Sequence, residues 1–194
     1  MQQTLRSMVW LAVFSLLNAC RGISLASSTP TPVPIEKRDL SKIVIQPGEF
    51  PPDFHQLNVE DISKVFTNVK EVHEGILGSY VIYSRTDDMS RVYSSGVMVY
   101  ADVETAAKVY QAIIDNTHEN TAMNVEPIGD RSYAMLDIVS HEAMANDIHI
   151  GMILWTYHSA VMYISGADNQ KPPSLQEMTR LAQKVQARLT SPGP

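Results

Sequence analysis

An apolar stripe at helical spacing runs through Leu175, Met178, Leu181, Ala182, Val185 and Leu189. A helix with one apolar face needs a surface to cover, because most helical stability in a protein comes from packing that face. Its limits are written locally. Lys171-Pro172-Pro173 interrupts the chain before it, Ser174 with Glu177 matches a capping box, and Ser191-Pro192-Gly193-Pro194 ends it. On this reading Leu181 and Val185 are sensitive to truncation, whereas Gln176 and Arg188, off the stripe, are tolerant. A second stripe comprises Val103, Ala106, Ala107, Tyr110, Ile113 and Ile114, with Asp102 placed to cap it. Asn116-Thr117-His118-Glu119-Asn120 breaks that pattern.

Strand-like runs precede each helix. Leu77–Ser84 is rich in Tyr, Val and Ile, and Arg91–Ala101 alternates between two faces, with Thr86-Asp87-Asp88-Met89-Ser90 as a connecting loop. After a turn at Pro127-Ile128-Gly129-Asp130 come Ser132–Val139, Ile148–Tyr157 and Ala160–Ser165, the last two joined by His158-Ser159 as a two-residue hairpin loop. Upstream, Ile43-Val44-Ile45-Gln46 reads as a short strand. Pro47–Phe54 reads as turns that send Phe50 and Phe54 inward, and Asp61–Phe66 as a short helix. The order is strand-strand-helix, then strand-strand-strand-helix. It predicts an α+β domain, an antiparallel sheet packed on one face by two amphipathic helices, built as two degenerate ββα-type halves.

The start of the chain is different in kind. Met8–Leu17 is an apolar run preceded by one charge, Arg6, and followed by Leu17-Asn18-Ala19-Cys20, which holds the only cysteine. The run has the length of a signal-peptide core and falls short of the ~20 residues of a membrane-spanning helix. Leu17-Asn18-Ala19-Cys20 resembles the lipobox of bacterial lipoproteins. The resemblance implies cleavage after Ala19, acylation of Cys20, and attachment to the extracytoplasmic face of a cell membrane or envelope without spanning it. Two or three acyl chains anchor stably where one binds reversibly. Lipidation also accounts for an odd cysteine in an exported chain.

Ser, Thr and Pro dominate residues 21–34, which close with Thr29-Pro30-Thr31-Pro32-Val33-Pro34, and residues 21–42 read as a tether. Such composition buries little apolar area and favours extended chain, at about 3.1 Å per residue. The organisation that follows is a signal peptide over 1–19, a lipidated cysteine and tether over 20–42, and one globular domain over 43–192, a length that supports a full core without disulfides. The formal net charge is −6, and loss of Arg6 with the signal makes the mature chain one unit more negative. That balance argues against nucleic acid as a partner. The element pattern is also similar to extracytoplasmic lipoprotein domains of unknown function and, more loosely, to the α-β-α sandwiches of photosystem II accessory proteins. That likeness carries no functional residues across.

The remaining residues point to no particular chemistry. His141, Glu142, Asp147, His149 and His158 are the densest group of metal-capable side chains, but Ala145 stands where an H-E-x-x-H site needs histidine, and the reading assigns no metal. The methionines lack paired copper-type spacing and read as core filler. No G-x-S-x-G elbow or Gly-rich phosphate loop occurs, so no catalytic residue and no cofactor is assigned. Tyr133, Trp155, Tyr157 and Tyr163, on or beside strands, are candidates to line a site for a small apolar ligand or a protein partner, most simply another envelope protein.

Overall fold

The structure is a computed structural model that describes residues 34–50, 52–58, 70, 72, 75–85, 91–117, 121–139 and 147–191. The signal peptide, Cys20, most of the tether and the short helix expected over Asp61–Phe66 lie outside the described residues.

Among the described residues seven strands form one antiparallel sheet: β1 (Phe54–Asn58), β2 (Leu77–Arg85), β3 (Arg91–Val99), β4 (Thr121–Met123), β5 (Arg131–Val139), β6 (Ile148–Tyr157) and β7 (Ala160–Asp168). Helix α1 (Val103–Asp115) follows β3, and α2 (Leu175–Thr190) follows β7. The strand order is β1-β2-β3-β7-β6-β5-β4. Two meanders therefore meet where β3 pairs with β7, in unbroken register from Arg91 opposite Asp168 to Val99 opposite Ala160. The α+β class is as the sequence predicts, and both helices keep their expected caps. Asp102 Oδ1 accepts from the Thr105 N–H (2.7 Å) and Ser174 Oγ from the Glu177 N–H (3.3 Å). The short strands β1 and β4, at the two edges, carry too few apolar positions to announce themselves in the sequence.

The placement of the helices departs from the expectation. They cover opposite faces of the sheet. Met178, Leu181, Ala182, Val185 and Leu189 of α2 pack with Val81, Tyr83, Tyr93, Val97, Ala134, Ile153, Trp155, Met162 and Ile164. Ala106, Val109, Tyr110 and Ile113 of α1 pack with Tyr80, Met98, Met135, Met152, Leu154, Val161 and Tyr163. Neighbouring residues of β6 and β7 alternate between these two clusters, as a period of two requires. Met152–Trp155 and Val161–Ile164 are apolar at both parities and all at most 4% exposed. A strand of that kind needs cover on both sides, so one layer of helices would have left half the core in water.

A second difference lies at the start of the domain. Ile43–Gln46 is not a strand. It belongs to a strap over residues 35–50 built from three 3-10 turns, Ile35–Lys37, Leu40–Lys42 and Pro47–Glu49. Ile35, Leu40, Ile43, Val44, Ile45 and Phe50 of the strap are buried on the α2 face. Residues 35–42, which composition places in the tether, are thus part of the packed unit, because Ile35 and Leu40 each bury an apolar anchor, one in each of the first two 3-10 turns. Phe50 and Phe54 turn inward as expected and stack with ring centroids 5.3 Å apart.

Two tight turns close one end of the sheet. His158 adopts φ 51° in the β6–β7 hairpin, and its N–H donates to Asp130 Oδ2 (2.7 Å). Gly129 has φ 62°, and a Cβ there would collide with the Thr156 carbonyl oxygen. Gly129→Ala adds a backbone collision to the ~1–2 kcal/mol handedness penalty of an L-residue in that region. The variant is expected to lose at least that much stability in urea melts. Gly48→Ala, whose Cβ meets nothing within 4 Å, is the matched control and should change little.

Candidate functional site

The four aromatic residues singled out in the sequence do not converge. Tyr133 and Tyr163 belong to the α1 face, Trp155 and Tyr157 to the α2 face. Trp155 is 0% exposed, and its Nε1–H donates to Gln186 Oε1 on α2 (3.0 Å). Tyr163 is buried beside Tyr80, with ring centroids 6.4 Å apart, and burial pushes its phenol well above the ordinary range. Tyr157 is half-buried against His158, with ring centroids 4.3 Å apart. Two of the four are therefore core residues, and no described cavity is lined by all of them.

The metal-capable group is also dispersed. His141 and Glu142 lie outside the described residues. His149 and His158 stand near opposite ends of β6, about 30 Å apart at the rise of an extended strand. Among the described residues no three His, Cys, Asp or Glu side chains gather to hold a metal ion.

Polar side chains do gather at the N-terminal end of α2. Asp168, only 3% exposed, accepts from Arg91 Nε (2.7 Å) and from the backbone N–H groups of Gln170 (2.8 Å) and Lys171 (3.3 Å). Beside it Tyr93 Oη donates to Glu177 Oε2 (3.0 Å). Burial and the Glu177 charge raise the Tyr93 phenol far above its ordinary value, so it stays neutral. These contacts close the β7–α2 connection onto β3. An open groove of about 750 Å³ adjoins, between residues 124–126 and the first half of α2, lined by Asn124, Glu126, Gln176, Arg180 and Gln183 among others. None of the four aromatic candidates lines it.

A second polar cluster joins the strap to α2. Arg188 Nη1 donates to the carbonyl oxygens of Ile43 (3.0 Å) and Val44 (2.9 Å), and Nη2 pairs with Glu49 Oε1. Lys184 Nζ lies 3.5 Å from the same carboxylate oxygen, and Arg38 Nη1 donates to the Arg188 carbonyl (2.9 Å). The expectation that Arg188 tolerates substitution is corrected by this geometry. Its position off the apolar stripe turns it towards strap carbonyls that no ladder satisfies. Those partners lie about 140 residues away in the chain, and no local spacing signals them.

Asp168, buried, and Glu49, partly buried, are tuned the same way. For Glu49 burial opposes ionisation, but the Arg188 hydrogen bond, the Gln46 N–H and the Arg188 and Lys184 charges outweigh it and hold the carboxyl below its ordinary 4.5. For Asp168 burial likewise opposes, and the Gln170 N–H, the Arg91 side chain and the Lys171 N–H hold it below 3.8. A carboxyl depressed by folding contributes stability that is present above its unfolded value and lost as pH falls through its folded value. Stability contributed by these two groups should therefore be flat from pH 7 to about pH 5 and fall below it. Urea melts across that range are expected to show a shallower acid loss in Glu49→Gln with Asp168→Asn than in the parent. An equal loss would remove both groups from the account.

The chain matches no family model and no curated protein sequence. Among solved structures it is similar to the extracellular domain of PknH from Mycobacterium tuberculosis, with a TM-score of 0.58 and 11% identity over 82% of this chain and 98% of that one. It is less similar to a protein from Bacteroides thetaiotaomicron VPI-5482, with a TM-score of 0.46 and 7% identity over 69% of this chain and 41% of that one. At that identity the first likeness shows a shared fold, and the second carries no argument.

Proposed function

We propose that the chain is an extracytoplasmic lipoprotein, cut after Ala19, held to a membrane by acyl chains on Cys20, and presenting its α-β-α domain to another protein of the cell envelope. The observation that carries the reading is Leu17-Asn18-Ala19-Cys20 directly after the apolar run Met8–Leu17, with the only cysteine at the acylated position. The fold shared with the extracellular domain of PknH is in keeping with a location outside the cytoplasm. No helix among the described residues is long and apolar enough to cross a membrane.

The use the fold makes of its aromatic residues favours a protein partner over a small apolar ligand. Trp155 and Tyr163 fill the two cores, and the open groove beside α2 is lined mainly by amide and charged side chains. Recognition then falls to the exterior of the domain, where polar rims and exposed apolar side chains serve protein contacts. The reading assigns no catalytic residue, no cofactor, no metal and no nucleic acid.

Metabolic labelling with a clickable fatty acid tests the anchor. The parent is expected to label and to partition with membranes, and Cys20→Ala to do neither. Equal labelling of the two would refute the lipoprotein assignment. Cross-linking of the anchored protein in its native membrane, followed by mass spectrometry, tests the partner. Recovery of a single envelope protein with cross-links to the exterior of residues 35–191 is the expected result. Cross-links confined to residues 20–34 would make the domain a bystander.

A further inference from the structure

Two covers share the sheet face that carries Tyr83, Tyr93, Ser95 and Val97. Helix α2 lies over β6 and β7, and the strap lies over β2 through its turn Leu40–Lys42. Beneath the strap the sheet presents Ser95, 0% exposed, beside Val81 and Val97. A small polar side chain at that position leaves room for a second layer of chain.

Among the described residues the strap joins no strand ladder. Side chains hold its backbone to the rest of the domain. Arg188 takes the Ile43 and Val44 carbonyls, Tyr83 Oη donates to the Ile45 carbonyl (3.3 Å), and the Ile45 N–H donates to Ser95 Oγ (3.5 Å). The last two are long for hydrogen bonds and hold the strap weakly. The Glu49 pairs with Arg188 and Lys184 close its far end. By contrast, β7, at the sheet's centre, is paired along its length with β3 on one side and β6 on the other. The chain from the tether enters the packed unit at the strap, so a pull from the N-terminus reaches Ile35 and Leu40 before any strand. Attachments loaded one after another from one end give way singly, whereas a strand paired on both edges resists as a unit.

We infer that the strap is a releasable cover, which tension on the N-terminal tether lifts from the sheet before the sheet itself yields. Its departure would uncover the Tyr83, Tyr93 and Val97 surface while α2 and the seven strands stay folded. The tension rests on the anchored reading above, but the mechanics do not. A domain held to a membrane at one point and to a partner at another would then report their separation by exposing an aromatic surface.

The test is force spectroscopy on the mature chain made without acylation. It is held by the Cys20 thiol and by a second thiol from Lys171→Cys in the exposed turn between β7 and α2. Extension is expected in two steps. The first, on the order of 50 Å as residues 35–50 straighten, precedes the larger unfolding of the sheet. Glu49→Gln keeps the side chain's size and removes its charge. It is expected to speed the first step about tenfold at a given force and leave the second unchanged, as loss of one charged hydrogen bond predicts. Arg188→Met is the second variant. One all-or-none step, or a first step indifferent to both substitutions, overturns the inference. Failure of Cys20 to acylate in the labelling experiment would remove the source of tension without altering these steps, so the two failures are distinguishable.

Discussion

Trp155→Ala is expected to cost about 3–5 kcal/mol, the range for deleting a large aromatic side chain from a closed core. The site meets the conditions for the upper part of that range. Trp155 is 0% exposed on a central strand, and α2 lies over it with Leu181, Ala182 and Val185 in the same cluster. Its neighbours on β6 and β7 are held by ladders on both edges and cannot collapse into the space left. The indole N–H also gives up its bond to Gln186, although Gln186 is half-exposed and recovers water. Against a domain stability of about 5–15 kcal/mol, this loss leaves little margin. Denaturant melts followed by circular dichroism measure it, with the slope of the transition unchanged. Tyr157→Ala, half-exposed on the same strand, is expected to lose well under half as much. A loss below ~1 kcal/mol for Trp155→Ala would mean that the indole occupies a loose, ligand-like pocket rather than the core. Trp10 leaves with the signal in the proposed processing, so Trp155 is the only tryptophan of the mature chain. Its emission should be blue-shifted, as burial requires.

Arg188→Met is expected to cost about 2–3 kcal/mol, the second largest effect. Methionine keeps most of the aliphatic stem, so the loss reports the guanidinium. Removal of that group leaves the Ile43 and Val44 carbonyls and the Glu49 carboxylate without their shared donor. Hydrogen bonds to charged groups contribute about 1.5–3 kcal/mol, and partners left unsatisfied under cover cost a similar amount. The Arg188 side chain is 27% exposed, so water replaces part of what is lost and holds the total at the lower end. Arg180→Met, on an exposed position of the same helix, should stay within about 0.5 kcal/mol. In a double-mutant cycle Arg188→Met and Glu49→Gln are expected to be strongly non-additive. Additive losses would separate the strap from α2 energetically, and the releasable cover would lose its fastening.

Particular residues show where the sequence was readable. The stripes of α1 and α2 and their Asp102 and Ser174 caps are contacts between residues three or four apart, which the helix geometry itself imposes. The limits of β2, β5 and β6 follow from a period of two and from flanking turn residues. The three-residue β4 offered no run long enough to show a period, and the bulged edge strand β1 showed no alternation of its own. The two-sided burial of β6 and β7 did have a signal, in the unbroken apolar runs Met152–Trp155 and Val161–Ile164. Read as strands buried on both faces, they require one helix on each side.

What the sequence by itself determined is the two long helices, the longer strands and the α+β class. Each depends on neighbours within a few positions, where covalent geometry fixes which side chains share a face. Only the tertiary structure decided that α1 and α2 take opposite faces and that β3 pairs with β7. It also decided that Trp155 and Tyr163 belong to different cores, and that residues 35–50 fold back under Arg188. Those outcomes turn on contacts between residues up to about 150 positions apart. At such separations the chain can bring almost any pair together, and the choice is made by how the apolar faces jointly exclude water.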